Sequence, residues 1–387
     1  MMLKGRSIQI AGSADENPDR QLLAKSHAVI AALTRGILRA GGTVIVGIGD
    51  DVRIEPGNAD SARLFDWTVL DEVAAFAQAA AATGSGRSGP YAKVITSPKN
   101  IDKAYAARPG TLTSLLSSGA VDLRQLEVNW SAAAYIRQRQ AEEGHGLVII
   151  GGGEGVEHSA SLYVERGRVV VPLDANIGAY FKDGNGGAAK LYQHALSRPE
   201  RFVLDGHDEY RRRLQLASMI RQPDAEATAR ETVRLLETFA APYAFCVRLL
   251  NPSIKPDYVH VDRYFSGAVV PCLSQLGFQH HIMGQQEAKE AYINQEIFER
   301  LHYAEILVAD LTSDRLNNYL EAGYGLGHRT PVIFTAKEGT RLPFDTTTMP
   351  VCFWSESKTD AELQREFIDF WNKNARRPHI VRRRELG

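Results

Sequence analysis

Three cysteines, at 246, 272 and 352, are too few for a disulfide framework in a chain of 387 residues, and no CxxC pair offers the spacing of a structural zinc site. That scarcity fits a reducing compartment. An excess of charge is also missing: 45 Lys and Arg stand against 46 Asp and Glu, and a net charge of −1 gives no overall attraction to nucleic acid or to an anionic membrane. No run approaches the ~20 apolar residues that span a bilayer. The richest, VAAFAQAAAA at 73–82, stops well short and reads as a buried helix. The opening stretch, MMLKGRSIQIAGSADENPDR, turns polar too soon for a signal peptide. A cytoplasmic protein with no membrane partner and no nucleic-acid partner is expected. Adjacent strand residues such as His280 and His281 point to opposite faces, so with His260 and Asp262 they make no joint metal site. Neither a metal nor a cofactor is expected.

A hydrophobic content of 44% and a charged content of 24% are those of a globular chain, and the length calls for two domains. Short β-branched runs at 7–11, 43–48, 93–96, 146–150 and 168–173 alternate with helical stretches at 21–40 and 66–82, the latter followed by a TGSGRSG loop at 83–89. A second series follows, with strands at 244–249, 278–283, 306–309 and 331–336 and helices at 261–276, 294–302, 316–326 and 360–374. Between the two series, 199–242 reads as a pair of helices broken at Gln222-Pro223. The fold class predicted is α/β: two Rossmann-like parallel-sheet domains, 1–198 and 243–387, joined by a helical connector at 199–242. The arginines at 376–377 and 382–384 read as a solvated basic tail.

Two strand-to-loop junctions in the first domain carry glycine: Gly12-Ser13 after the first strand, and Gly151-Gly152-Gly153-Glu154-Gly155 after the apolar run VII. Glycine lets backbone N–H groups come close to a phosphate, and a following helix N-terminus adds partial positive charge. Lys93, Lys99 and Lys103 are either part of the same phosphate pocket or a solvated loop. GS after strand one, GGTVIVGIGD around strand two and GGGEG after a late strand resemble the SLOG superfamily across 5–191. That group includes cytokinin-activating phosphoribohydrolases and nucleotide sensors of bacterial conflict systems. Its hydrolase branch carries PGGxGTxxE with a catalytic glutamate at the end; aligned on the glycines, this chain has Ser159 there, with Glu157 two positions away. The resemblance implies a nucleotide-binding sensor using Gly12, Ser13, Gly151, Gly152, Gly153, Glu154, Gly155 and Glu157.

The C-terminal half contains EILVADLTSDRLNNYLEAGYGLGHRTPVIF at 305–334. A buried strand ends in Asp310, and the next helix places Glu321 among Leu320, Ala322 and Tyr324. Burying a carboxylate in such company is costly, which suggests that it faces a ligand. Ala309-Asp310-Leu311-Thr312, Asn317, Glu321, Gly323 and Pro331-Val332-Ile333 resemble the nucleoside 2-deoxyribosyltransferase-like fold, itself related to TIR-type NAD glycohydrolases. Ile293-Asn294 upstream and Leu342-Pro343-Phe344-Asp345 downstream extend the likeness over 243–371. It implies that Glu321 is the nucleophile at an anomeric carbon, while Asp310 orients ribose hydroxyls or helps the base depart. Asn294 and Asn317 would bind sugar hydroxyls, Tyr319 or Tyr324 would stack on a base, and Arg315, where the family has a small residue, would meet a phosphate. Together the resemblances imply an N-glycosidase that cleaves NAD or a related nucleotide under control of a nucleotide signal (NAD, ADP-ribose-like or cyclic), acting as a homo-oligomer in anti-phage defence. The alternatives are a phosphoribohydrolase in the N-terminal domain and a sensor without chemistry.

Overall fold

Among the described residues every pair of strands in the two sheets is parallel, as the alternation of apolar runs with helices requires. The structure, a computed structural model, describes residues 3–55, 57–84, 89–127, 132–178, 187–282, 293–313, 315–343 and 349–377, with the backbone alone at 59 and 293–296. Residues 85–88 of the TGSGRSG loop, Phe344-Asp345 and the arginines at 382–384 lie outside that set. Among the described residues no helix is long and apolar enough to cross a membrane. The chain divides into two units, Met1–Ala241 and Pro242–Gly387.

The first unit runs β1 (Ser7–Ser13), α1 (Arg20–Arg39), β2 (Thr43–Val46), α2 (Asp66–Thr83), β3 (Ala92–Thr96), α3 (Pro98–Ala107), α4 (Pro109–Ser117), β4 (Val121–Gln125), α5 (Ala132–Glu143), β5 (Gly146–Gly151), α6 (Glu154–Val164), β6 (Val169–Pro172), α7 (Gly187–Ser197), α8 (His207–Leu216) and α9 (Ala225–Phe239). Its sheet has the order β4-β3-β2-β1-β5-β6. The chain therefore lays strands to one side of β1, then to the other, and the carboxyl ends of β1 and β5 border the crevice where open α/β sheets take ligands. Leu147 to Ile150 are wholly buried because helices cover both faces. Asp19 starts α1 by accepting the Leu22 N–H at 2.8 Å. Helices α8 and α9, from the stretch between the two sheets, pack on the first unit. Val233 fills the space above Gly36 of α1, and Leu235 and Leu236 enter its core.

The second unit runs β7 (Tyr243–Val247), α10 (Asp257–Tyr264), a π turn (Phe265–Val269), α11 (Val270–Gln275), β8 (Gln279–Ile282), α12 (Ile293–Tyr303), β9 (Ile306–Asp310), α13 (Leu316–Gly327), β10 (Val332–Lys337), β11 (Val351–Trp354) and α14 (Asp360–Asn374). The order is β11-β10-β9-β7-β8, so its switch point lies at β7. The stretch expected as one helix over 261–276 carries the π turn because Pro271 has no N–H and its ring crowds the carbonyl four residues back. Strand alternation sorts side chains to two cores. Ala244, Cys246, Ile306 and Val308 meet α10, α11 and α14, while Phe245, Val247, Leu307 and Ala309 meet α12 and α13. All three cysteines are buried free thiols of this unit. Burial pushes Cys246 up to about 12 and Cys272 and Cys352 up to about 11.

Candidate functional sites

The two glycine turns of the first unit meet, since β1 pairs with β5 and places Ser13 opposite Gly151. Their glycines serve backbone contact. A Cβ on Gly12 would sit 1.9 Å from the Ile150 carbonyl oxygen, and one on Gly178 would sit 2.1 Å from that of Gly152. Gly151 and Gly152 adopt left-handed φ of 57° and 72°, and the Gly152 N–H donates to the Ser13 carbonyl at 2.7 Å. The donors left for a ligand are the first-turn N–H groups of α6, at Glu154 and Gly155. Ala11, Gly12, Ser13 and Gly153 around them stay partly open to solvent.

Arg137 of α5 stands beside this helix start, its Nη1 3.5 Å from the point where a Gly155 Cβ would project and its Nε donating to His158 Nδ1 at 3.0 Å. Among the described residues no carboxylate pairs with it, and burial lowers its pKa. A half-buried cation without an anion, next to a helix N-terminus, is suited to phosphate. Sequence reading passed over α5 because AAAYIRQRQAEE shows little amphipathic rhythm. Glu154 is exposed, whereas Glu157 keeps Oε1 buried with no hydrogen-bond partner among the described residues. Ser159, where the hydrolase branch has its acid, is buried and donates to the Gly155 carbonyl of its own helix at 3.1 Å. Lys93 and Lys103 are held by Glu143 at 3.1 Å and Asp50 at 2.8 Å.

In the second unit Glu321 occupies the second turn of α13, half-buried, with no hydrogen bond or ion pair among the described residues. Burial pushes its pKa up to about 7. Asn318, Ala322 and Gly325 form the buried face of α13, and Glu321 flanks it in a row with Tyr324 and His328. Tyr324 meets α12, its hydroxyl 3.1 Å from His302 Nδ1 and its ring against Phe298. Asn294 belongs to the first turn of α12; its side chain lies outside the described residues.

A raised carboxylate pKa is also a statement about stability. The folded state holds the Glu321 proton up to about 7, whereas an unfolded glutamate releases it near 4.5. Stability is therefore greatest below 4.5 and declines as pH rises through 7. Allowing for the solvent that reaches the group, Glu321→Gln is expected to stabilise the second unit by about 1–2 kcal/mol at pH 8. Melting curves should show a Tm higher by about 3–6 °C at pH 8 and unchanged near pH 4. Equal Tm values at both pH values would contradict the raised pKa.

Asp310 departs from its expected role. Its residue is fully buried at the end of β9; Oδ1 accepts the Thr312 N–H at 3.1 Å, and Oδ2 accepts Thr335 Oγ1 at 2.7 Å and Trp354 Nε1 at 2.9 Å. The carboxylate thus ties β9, β10 and β11 together and has no face turned to a sugar. Trp354 belongs to the α10/α14 core, whereas α13 covers the opposite face, so the sheet separates Asp310 from Glu321. Asn317 is exposed; its neighbour Asn318 turns inward and donates Nδ2 to the Asp310 carbonyl at 2.7 Å. The spacing 318, 322, 325 was the signal that would have preferred Asn318. Arg315 is the N-cap residue of α13, and Tyr319 packs on the apolar core beneath the helix. A polar cavity of about 470 Å³ opens beyond β9 and β10, lined by Asp257, Thr312, Ser313, Lys337 and residues 338–343; Glu321 does not line it.

Comparison with known proteins adds to this geometry. Two proteins named ATP nucleosidase Cap17, from Escherichia coli and from its strain KTE188, are each 25% identical to this chain over 194 residues. The match takes in 50% of this chain and 36% of each relative, so it spans about a third of their length. Residues 3–221 match the family described as ATP nucleosidase Cap17-like, N-terminal, and the chain belongs to that family.

Proposed function

We propose that this protein is a nucleotide-controlled N-glycosidase: the first unit binds a nucleotide across the β1/β5 crevice, and the second cleaves the base–ribose bond of ATP or NAD with Glu321. The observation that carries the reading is a half-buried glutamate without a partner among the described residues, on a helix that leaves the carboxyl edge of a parallel sheet. Breaking a glycosidic bond develops positive charge at C1′, and an anion beneath that carbon stabilises it or traps it as a ribosyl ester that water then opens. The likeness of the first half to SLOG domains and of the second to the deoxyribosyltransferase-like and TIR-type folds supports the division of labour. The name of the matched relatives supports ATP as a substrate beside NAD. The signal would act by favouring an ordered Glu321 site within an oligomer, as befits an anti-phage effector.

A second reading rests on the buried Oε1 of Glu157, which belongs to the first turn of α6. There the first unit would itself hydrolyse a nucleotide. Release of adenine from ATP and of nicotinamide from NAD, followed by chromatography, separates the two. Glu321→Gln is expected to lower base release by at least about a hundredfold while Glu157→Gln leaves it within a few-fold. Full activity in the first variant and loss in the second assigns the chemistry to the first unit. Because the reacting carboxylate must be ionised, kcat/KM should climb with pH through about 7.

A further inference from the structure

Among the acids of the loop after β2 and the start of α2, Asp50, Asp51 and Asp66 differ in company. Asp50 is paired with Lys103 at 2.8 Å. Asp51 is clasped by Arg53 at 2.6 Å and by Arg108 at 2.8 Å. Asp66, the first residue of α2, has no hydrogen bond or ion pair among the described residues. Its carboxylate lies across the end of β2: a Cβ on Gly47 would be 3.4 Å from Oδ2 and 3.7 Å from Oδ1. Both Asp66 and Gly47 remain partly open to solvent. Trp67, the next residue, is buried and donates Nε1 to the Gly49 carbonyl at 3.3 Å, which fixes the helix start against the loop.

Strand register locates this carboxylate relative to the α6 N-terminus. Ile45 pairs with Gln9, so Gly47 stands level with Ala11, next to Gly12 and Ser13, which face Ile150 and Gly151 in turn. Two strand spacings and two residues of rise along the strand, roughly 12 Å in all, separate Gly47 from the turn at Gly151. A ribose carrying phosphate on its 5′ oxygen covers that span, with phosphate at α6 and Arg137 and the sugar toward β2. An ionised carboxyl group only accepts hydrogen bonds, and its two oxygens match a vicinal diol. Asp50 and Asp51 are already neutralised by arginine and lysine, and among the described residues no group of three metal-ligating side chains gathers around Asp66.

We propose that Asp66 reads the ribose of the nucleotide held in the first unit, accepting hydrogen bonds from its 2′ and 3′ hydroxyls. The inference rests on the reading of that unit as a nucleotide binder and adds the residue that decides between ribonucleotide and deoxynucleotide. Burial pushes Asp66 up to about 6, a strain that two hydroxyl donors would relieve.

Isothermal titration of the full chain with ATP and with 2′,3′-dideoxy-ATP tests it. The wild-type protein is expected to bind ATP about tenfold or more tighter. Asp66→Ala should weaken ATP by that factor, leave dideoxy-ATP within twofold, and keep or raise the Tm, since the carboxylate supports no other residue. Asp66→Asn, which retains one acceptor oxygen, should recover part of the preference. Wild-type binding of both ligands with equal affinity, or an equal loss of both in Asp66→Ala, overturns the ribose role while the nucleotide site stands. Binding of neither ligand by the wild-type protein overturns the site itself.

Discussion

Gly12→Ala should leave the first unit unfolded while the second keeps its structure. The new methyl carbon would lie 1.9 Å from the carbonyl oxygen of Ile150, the residue paired with Gly12 across the central strands β1 and β5. Nothing flexible can yield there, because the obstructing atom is backbone held in the middle of a six-stranded sheet. Relief requires parting β1 from β5, which breaks the ladder and opens the most buried layer of the unit. A cost above about 4 kcal/mol follows, a size that single substitutions reach only through such clashes or large cavities. Gly110→Ala is the matching control: it lies inside α4 with nothing within 4 Å of the added carbon, and should stabilise by about 0.5–1 kcal/mol. Far-UV circular dichroism and the soluble yield read both. A well-folded Gly12→Ala protein would mean that the β1/β5 junction is looser than described.

Asp310→Ala carries the second large effect, in the other unit. It strips the acceptor from the Trp354 indole, the Thr335 hydroxyl and the Thr312 N–H, all within buried residues that water does not reach. Each orphaned donor costs about 1–3 kcal/mol, offset in part because a buried charge is removed, so a net loss of about 3–5 kcal/mol is expected. Asn at this position is only a partial remedy: its single oxygen serves one side, and its NH₂ then confronts the indole N–H, which cannot accept. Scanning calorimetry should show the transition of the second unit falling by about 10 °C in Asp310→Ala, with that of the first unit unmoved. An unchanged second transition would remove the tie between β9, β10 and β11. Loss of the proposed glycosidase activity in the same variant would reflect a loosened sheet.

The parallel sheets were legible because central strands buried on both faces read as unbroken apolar runs, VII at 148–150 being the clearest. Two edge strands were not. In β4, Asp122 and Arg124 interrupt the apolar pattern and pair with each other on an outer strand, and β11 is only four residues long. Glu321 stood out as an acid in apolar sequence, and the structure gives it no partner among the described residues. Asp310 looked equally reactive from its strand-end position, since no local signal announces that Thr335 and Trp354, 25 and 44 residues later, take up its oxygens. Arg137 and Asp66 were missed for a related reason. Their meaning lies in having no oppositely charged partner among the described residues, which three-dimensional neighbours decide.

The placement of the sulfur atoms gives the molecule a built-in clock. All three thiols sit in one half of the chain, shielded and almost entirely protonated at neutral pH, so an alkylating reagent can reach them only while that half breathes open. Their modification rate therefore times the opening of the second unit alone, silent to whatever the first unit is doing, and shows whether an added nucleotide slows it.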